Sequence, residues 1–150
     1  MKVGRIYMQL TRQTEYAVRT LIELVNVPPG TMVNSKAIAE KQNLPEKFLN
    51  KTIQILVRAG MVETRRGMQG GIRLAVSPDS ITIADVLNAI EGKLAINPCL
   101  EGDRYCENQA ACPVRKVLQR TQKAILAELS RETLADLAKG DVFSEKIAAN

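Results

Sequence analysis

The feature that most constrains the fold is the order of the segments between residues 35 and 76. Two stretches with the apolar spacing of amphipathic helices are separated by a very short turn, and two β-patterned stretches follow around a glycine-rich tip. The segments are a helix at 36–42, the turn Asn43-Leu44, a helix at 45–59, a strand at 61–65, the tip at 66–71 and a strand at 72–76. So short a turn forces the two helices to cross steeply. This order predicts a winged helix-turn-helix.

Local signals predict where these elements begin and end. Ser35 is expected to cap the first helix of the pair, with Ala37 facing inward. Pro45 suits the first turn of the second helix, because its missing N–H costs nothing there. Val57 of the same helix is expected in the core, and Gly60 is a natural left-handed stop.

Helical patterns flank this unit on both sides. The flanking helices are predicted at 11–27 with Thr11 as N-cap, at 82–91 with a capping box of Thr82 and Asp85, at 113–129 opened by Pro113, and at 131–138 capped by Ser130. Aromatic residues make up only 3% of the chain, so the core is expected to consist of Leu, Ile, Val and Ala, which favours helices.

The predicted fold class is therefore mainly α: a winged helix-turn-helix domain followed by a cysteine loop and a long dimerisation helix. The cysteine loop is the irregular, acidic segment 92–112. The predicted divisions are a DNA-binding domain at 8–80, a connecting helix and cysteine loop at 81–112, a dimerisation helix and short last helix at 113–139, and tails at 1–7 and 140–150.

Positive charge is concentrated in the first half of the chain. Residues 1–80 hold 12 Lys and Arg against 6 Asp and Glu, whereas residues 81–112 hold 2 against 5. A basic lobe is typical of a protein with a polyanionic partner, although a merely soluble basic protein has the same charge. Together with the predicted fold, the charge favours double-stranded DNA as the partner.

Polar side chains near the start of the second helix and at the glycine-rich tip are candidates for DNA contact. Asn can make two hydrogen bonds to adenine, and Lys can reach guanine or phosphate. Two arginines at a glycine-rich tip can enter a narrow minor groove. The alternatives are a solvated helix face and an ordinary hairpin turn. The predicted DNA-contacting residues are Lys36, Glu46, Lys47, Asn50, Lys51, Arg65, Arg66 and Gln69.

The cysteines indicate a metal or redox site. There are three, an odd number, and they follow the pattern C-x6-C-x5-C at Cys99, Cys106 and Cys112. The chain has no His, so it has no imidazole ligand and no histidine base. Three thiolates are one short of the usual four ligands of an iron–sulfur cluster, and the gaps are wider than those of most zinc sites. From spacing alone, an iron–sulfur cluster, zinc with a carboxylate, and redox-sensing thiols all remain open.

Residues 8–139 resemble the Rrf-type winged-helix regulators, a family that includes IscR, NsrR, CymR and RirA. Met8-Gln9-Leu10-Thr11 is similar to the family's usual N-terminus, which makes residues 1–7 an extension or the product of a different start. The stretch from Leu44 to Ala75 is similar to the family's recognition helix and its Arg-Gly-x-x-Gly-Gly wing. At the wing, this chain has Met68-Gln69-Gly70-Gly71-Ile72 where many members have Pro-Gly-Gly-Gly-Tyr.

The resemblance implies an iron–sulfur cluster on the three cysteines, with 2Fe–2S favoured over 4Fe–4S. The fourth ligand of the IscR type, a His, falls on Arg115, and a guanidinium is a very poor ligand. In the NsrR-like branch the fourth ligand is a carboxylate on the first helix of the partner subunit, and that position falls on Glu15. The alternative is an ordinary surface Glu15 paired with Arg12 or Arg19.

The resemblance also implies a homodimer. The predicted helix at 113–129 matches the family's dimerisation helix. An apolar stripe at helical spacing supplies the contacts that a second copy would bury. The predicted dimerisation residues are Val114, Val117, Leu118, Thr121 and Ile125.

The implied function is an iron–sulfur cluster-sensing, DNA-binding transcriptional regulator, a repressor of genes for iron–sulfur assembly, iron, or nitrosative and redox stress. The alternatives are a cluster-free CymR-type repressor acting through thiols or a partner protein, and a zinc-stapled interaction module. An enzyme is not expected, because the sequence has no nucleophile–base pair and no phosphate loop. No apolar run approaches the length of a membrane span, so the expected location is the cytoplasm, without a membrane partner.

Overall fold

The computed structural model describes residues 10–101 and 106–140. These residues form six α-helices and one two-stranded antiparallel sheet, so the predicted fold class is confirmed. The elements are α1 Arg12–Val25, α2 Ser35–Lys41, α3 Glu46–Arg58, β1 Val62–Arg65, β2 Gly71–Leu74, α4 Ile83–Glu91, α5 Pro113–Leu129 and α6 Leu134–Lys139. Short 3-10 turns lie at Pro78–Ser80 and Pro98–Leu100. The predicted extension at 1–7 and the predicted tail beyond Gly140 lie outside the described residues.

Helix α1 is at the centre of the core. Thr11 caps it as predicted, since its hydroxyl accepts a hydrogen bond from the backbone N–H of Thr14 at 3.3 Å. The helix packs against α3, α4 and α6. Burying one large aliphatic side chain stabilises a fold by about 1.5–3 kcal/mol. The core consists of Ala17, Leu21, Ile22, Leu24, Ile38, Ala39, Leu49, Ile53, Leu56, Met61, Val62, Ile72, Ile81, Val86 and Leu134.

Helices α2 and α3 form the predicted helix-turn-helix, but the cap of α2 differs from the prediction. Asn34, not Ser35, is the cap, and its Oδ1 accepts a hydrogen bond from the backbone N–H of Lys36 at 2.8 Å. An Asn in extended backbone reaches the N–H two residues on, so Ser35 becomes the first helical residue. The prediction that Ala37 faces inward is also wrong, because Ala37 is exposed whereas Ile38 is buried.

The turn before α3 is tight because Asn43 adopts the left-handed conformation, with φ 52°. Pro45 occupies the N-cap position in extended backbone, so its predicted place inside the first turn is wrong by one residue. Val57 is 37% exposed, and its predicted place in the core is wrong, because the buried stripe of α3 ends at Leu56. Gly60 ends the helix in the left-handed conformation, φ 73°, as predicted.

The hairpin is the predicted wing, and it is attached to the helix-turn-helix. Strands β1 and β2 pair with Val62 opposite Leu74 and are slightly shorter than predicted. Two hydrogen bonds of 2.8 Å join the backbones of Val33 and Ile72, just before α2. A Cβ at Gly71 would collide with the carbonyl of Val33, so only glycine allows this approach. We refer to α1 through β2, residues 12–74, as the reading head.

Two capping boxes begin the helices that follow the wing. Thr82 and Asp85 form the predicted box of α4. Thr133 and Asp136 form a second box at α6. The prediction that Ser130 caps the last helix is wrong, because Ser130 is the C-cap of α5 and its hydroxyl donates to a carbonyl of that helix at 2.8 Å. The reciprocal hydrogen bonds of a capping box explain why α6 starts at the later position.

The last described helix returns to the reading head. Leu134 is fully buried, and its backbone N–H donates to the carbonyl of Ile81 at 2.8 Å. Helix α6 therefore packs in the same core as α1, while the proposed division of the chain at 80 and 112 stays a prediction. Among the described residues, no helix has both the length and the apolar character needed to cross a membrane.

Candidate nucleic-acid interface and metal site

Helix α3 presents a strip of exposed polar side chains along its first two turns. The predicted residues Glu46, Lys47, Asn50 and Lys51 are all exposed. Their spacing puts them on one face of the helix, opposite the face that is buried in the core. A helix supported in this way can enter a major groove with its first turns against the base edges.

Three further exposed side chains extend this surface and were not predicted from the sequence. Gln54 lies one turn after Asn50 on α3, and Arg58 follows in the last turn. The four-residue spacing from Asn50 was a signal that could have identified both. On the wing, Arg73 of β2 is exposed and forms an ion pair with Glu63 across the hairpin.

The wing tip exposes the predicted side chains above a sharply folded backbone. Arg65 ends β1, and Arg66 and Gln69 follow in the tip, all three exposed. Met68 is fully exposed between them. A Cβ at Gly70 would collide with the carbonyl of Arg65, so the backbone can fold back this closely only with glycine. The tip thus presents two guanidinium groups on a narrow projection.

The cationic side chains predicted to contact DNA are not neutralised by the protein itself. Within the described part of the chain, none of the predicted cationic residues forms an ion pair, whereas Arg19, Lys41 and Arg73 are each paired with a Glu. Exposed cations without acidic partners are available for phosphate groups. The residues concerned are Lys36, Lys47, Lys51, Arg65 and Arg66.

The three cysteines are free thiols at different depths of the cysteine loop. Cys99 in the 3-10 turn and Cys112 at the N-cap of α5 are half-buried, whereas Cys106 is exposed. The side-chain amide of Asn97 donates to the sulfur of Cys99 at 3.1 Å, and the backbone N–H of Arg115 donates to the sulfur of Cys112 at 3.5 Å. N–H groups that donate to sulfur are typical around thiolate metal centres and adjust their reduction potential.

Arg115 connects the first and the third cysteine. Its Nε donates to the backbone carbonyl of Cys99 at 3.1 Å, while its backbone N–H holds the sulfur of Cys112. The start of the loop is also fixed to α5, because the backbone N–H of Ile96 donates to Oε1 of Gln122 at 3.2 Å. Both ends of the cysteine loop are thereby held against the same helix.

The three cysteine thiols have the chemistry of iron–sulfur ligands, although the described residues of one chain do not bring three such ligands together. Three thiolates are soft ligands that bind iron and zinc well. Among the described residues, no three Cys, Asp or Glu side chains lie close enough together to hold a metal ion. A centre on these cysteines therefore requires the three thiols to come closer together and a fourth ligand to be added.

Glu15 is an exposed carboxylate near the start of α1. Its side chain is 48% exposed and forms an ion pair with Arg19, one turn along the helix. An exposed pair at this spacing stabilises a helix by only about 0.3–0.5 kcal/mol, so a stronger partner can displace Arg19. Glu15 belongs to no group of three possible ligands in the described part of a single chain.

Helix α5 leaves an apolar face uncovered. None of its residues is buried, and the side chains of Val114 and Val117 are 62% and 50% exposed. Leu118 and Ile125 are half-buried, and Thr121 is exposed on the same face. A contiguous apolar patch of this kind is typical of a protein–protein contact.

A helix-turn-helix with a wing, unpaired cations on the face of α3 and an uncovered apolar helix define the class of this protein. It is a DNA-binding regulator of the winged-helix type. The chain belongs to the Rrf2 family, described as iron-dependent transcriptional regulators, whose family model matches residues 10–140. The family resemblance predicted from the sequence is thereby confirmed.

The chain is also similar to individual proteins in sequence and in structure. The HTH-type transcriptional regulator NsrR of Bacillus subtilis (strain 168) is 38% identical over 133 residues, which cover 88% of this chain and 91% of that protein. The structure of CymR, the global cysteine regulator of B. subtilis, is similar with a TM-score of 0.71 at 29% identity, over 88% of this chain and 97% of that one. The structure of T. potens IscR has a TM-score of 0.73 at 28% identity, over 95% and 94%.

Proposed function

We propose that this chain is a transcriptional repressor whose affinity for its operator is set by an iron–sulfur cluster, with 2Fe–2S favoured. The observation that carries the proposal is the group of three free cysteines in one loop after the reading head, in a chain 38% identical to NsrR. The protein acts as a cytoplasmic homodimer on double-stranded DNA and is not an enzyme. Its targets are genes for iron–sulfur assembly, iron, or nitrosative and redox stress.

The proposed ligands are Cys99, Cys106 and Cys112 of one chain and Glu15 of the partner subunit. When bound, the cluster supplies a centre that reacts with nitric oxide and oxygen. A carboxylate binds iron more weakly than a thiolate, so Glu15 would be the weakest of the four ligands. Without a cluster, Glu15 pairs with Arg19, as the single chain shows.

Glu15 would connect the metal site to DNA binding through helix packing. Glu15 lies on α1, which packs against α3, the helix that carries the DNA-contacting strip. The uncovered face of α5 pairs two chains, so each reading head is held against its partner's cysteine loop. Recognition helices of a dimer must lie about 34 Å apart to reach successive major grooves, and a change in their separation changes the affinity.

Anaerobic purification tests the proposal. We expect a coloured protein with iron and sulfide bound to each chain, whose affinity for operator DNA changes when a chelator removes the iron. Operator DNA can be recovered from a random library with the protein itself. Stoichiometric zinc, or no metal at all, together with unchanged affinity in chelator would contradict the proposal.

The fourth ligand is tested by Glu15→Gln, with Glu23→Gln as the matched control. Both residues are ion-paired glutamates of α1, Glu15 with Arg19 and Glu23 with Lys41. We expect Glu15→Gln to shift the visible spectrum of the anaerobic protein and to speed iron loss, because an amide is a weaker ligand than a carboxylate. The control is expected to match the wild type in both measurements. Equal behaviour of the two variants would remove Glu15 from the ligand set.

A cluster-free repressor of the CymR type is the second candidate. Two observations favour it: the likeness to CymR structures, and the absence of a three-donor group in the described part of one chain. In this case the purified protein is colourless, and oxidation of the thiols changes its DNA affinity. Metal analysis of the anaerobic protein separates the two candidates.

A further inference from the structure

A carboxylate outside the proposed metal site connects the cysteine loop to the first helix of the reading head. Glu91 is the last residue of α4, and the cysteine loop begins at the next residue, Gly92. Oε1 of Glu91 accepts hydrogen bonds from the backbone N–H of Thr11 at 3.0 Å and from the Thr11 hydroxyl at 2.9 Å. The hydroxyl of Thr14 donates to the same oxygen.

The charge of Glu91 suits α1 better than its own helix. A carboxylate at the C-terminal end of α4 is unfavourable for the dipole of that helix, whereas at the N-terminus of α1 it is favourable. Burial raises the pKa of Glu91, but the hydrogen bonds from Thr14 and Thr11 outweigh it and hold the pKa below its ordinary value. The ionised carboxylate is therefore stabilised by contacts between two helices rather than within one.

The partners of Glu91 are next to the proposed fourth ligand. Thr11 is the N-cap of α1, and Thr14 is fully buried and directly precedes Glu15. On the other side, Gly92 turns the chain away from α4 with φ 86°, in open space. One carboxylate thus joins the point where the loop begins to the turn of α1 that carries Glu15.

We propose that Glu91 is a positioning residue that transmits the state of the cysteine loop to the first turn of α1. This proposal rests on the proposed function for its physiological signal, because gain or loss of the cluster is what would change the cysteine loop in the cell. The connection itself is present in the metal-free protein and can be measured there.

The first experiment uses the metal-free, full-length protein. Alkylating the three cysteines with iodoacetamide alters the loop, and hydrogen exchange of the backbone amides of Thr14 and Glu15 reports on α1. We expect alkylation to change these exchange rates by about fivefold or more in the wild type, which corresponds to the lower end of typical coupling between sites. In Glu91→Gln the change is expected to be less than about twofold.

Asp136→Asn is the matched control. Like Glu91, Asp136 accepts hydrogen bonds from the N–H and hydroxyl of a threonine, but it does so within α6 and is not attached to the cysteine loop. The control is expected to respond to alkylation as the wild type does. Thr14→Val, which removes one donor to Glu91 at nearly constant volume, is expected to weaken the response if Glu91→Gln proves too unstable. A full response to alkylation in Glu91→Gln or in Thr14→Val overturns the proposal.

The second experiment measures the ratio of DNA affinities with and without the cluster, on the duplex that the wild type recovers from a random library. We expect this ratio to be at least about fivefold smaller in Glu91→Gln than in the wild type and in Asp136→Asn. A ratio in Glu91→Gln equal to that of the wild type contradicts the proposal. A wild type without iron contradicts the proposed function instead, and the alkylation experiment then decides the role of Glu91.

Discussion

Arg115 is not expected to bind metal, but it orders the cysteines that would. A guanidinium is a very poor ligand for iron. The guanidinium of Arg115 instead donates to the backbone carbonyl of Cys99, and the backbone N–H of Arg115 donates to the sulfur of Cys112. The two half-buried cysteines are therefore held in place before any metal binds. Cys106 has no such restraint from Arg115 and is exposed.

The organising role of Arg115 is tested by Arg115→Ala in the metal-free protein. We expect the Cys99 thiol to react with iodoacetamide about fivefold faster or more, because the loss of a hydrogen bond from a charged donor destabilises the ordered loop by about 1 kcal/mol or more. Mass spectrometry of the labelled peptides gives the rate for each cysteine. Arg120→Ala, on the same helix, should leave the rates unchanged, as should Arg115→Ala at the already exposed Cys106. Equal rates at Cys99 in both variants would show that Arg115 does not order the loop.

At the level of elements, the wing depends on two glycines that no other residue can replace. Gly70 approaches the carbonyl of Arg65, and Gly71 approaches the carbonyl of Val33. The first contact shapes the tip and the second attaches the hairpin to the segment before α2. The positions of Arg65 and Arg66 therefore depend on both glycine contacts.

Gly70→Ala is expected to weaken DNA binding by about tenfold or more while leaving the helices intact, because the added methyl group forces the tip to open. Fluorescence anisotropy with the selected operator gives the affinity, and circular dichroism confirms the helix content. Met68→Ala, at a fully exposed position of the same tip, is the control and should bind nearly as the wild type does. Normal affinity of Gly70→Ala would mean that the wing tip takes no part in binding.

The proposed role of the uncovered face of α5 as a dimer interface can be tested by substitution. Val114→Glu combined with Val117→Glu is expected to shift the protein from dimer to monomer, because charges would have to be buried in an apolar contact. Analytical ultracentrifugation measures the shift. Lys123→Glu, on the opposite face of the same helix, should remain a dimer. A dimer that survives the double substitution would place the interface elsewhere.

The helices could be predicted from the sequence more securely than their ends. Apolar spacing identified α1, α3 and α5, since a buried or apolar stripe is a repeated signal over many residues, and a capping box identified α4. The caps of α2 and α6 were assigned to serines, whereas the structure uses Asn34 and Thr133. Neighbouring polar residues compete for the same backbone N–H groups, and the choice depends on the approach of the preceding chain, which a sequence pattern does not contain.

At the level of the whole molecule, two carboxylates link stability to pH. Hydrogen bonds from Thr133 are the main cause that holds the pKa of Asp136 below its ordinary value. For Glu91, hydrogen bonds from Thr14 and Thr11 outweigh the opposing effect of burial, with the same result. A carboxyl whose pKa is lower in the folded than in the unfolded state adds stability above its unfolded pKa, about 3.9 for Asp and 4.3 for Glu. That stability is lost as the pH falls through the folded pKa.

The metal-free protein is therefore expected to lose stability below about pH 4.5, and Glu91→Gln and Asp136→Asn should each reduce this loss. Urea unfolding at pH values from 7 to 3 measures the free energy of unfolding for the three proteins. Parallel curves for the wild type and both variants would show that other groups cause the acid sensitivity.

The candidate site was predictable in its residue types but not in its assembly. The cysteine pattern and the exposed polar strip of α3 are visible in the sequence, because both depend on spacing along one chain. The connection between Glu91 and Thr11 spans 80 residues and follows from tertiary packing alone. The proposed ligand role of Glu15 depends on a second chain, so neither the sequence spacing nor a single chain tests it.

The attachment of the wing to the segment before α2 has a consequence for the operator. Because Val33 and Ile72 share two backbone hydrogen bonds, the hairpin and the recognition helix are expected to tilt as one rigid body. In a dimer, the quantity that can then change is the distance along the duplex between the two recognition helices. One base pair added between the half-sites increases their separation by about 3.4 Å. For the proposed cluster-dependent dimer, operators that differ only in this number should thus rank differently in affinity with and without the cluster.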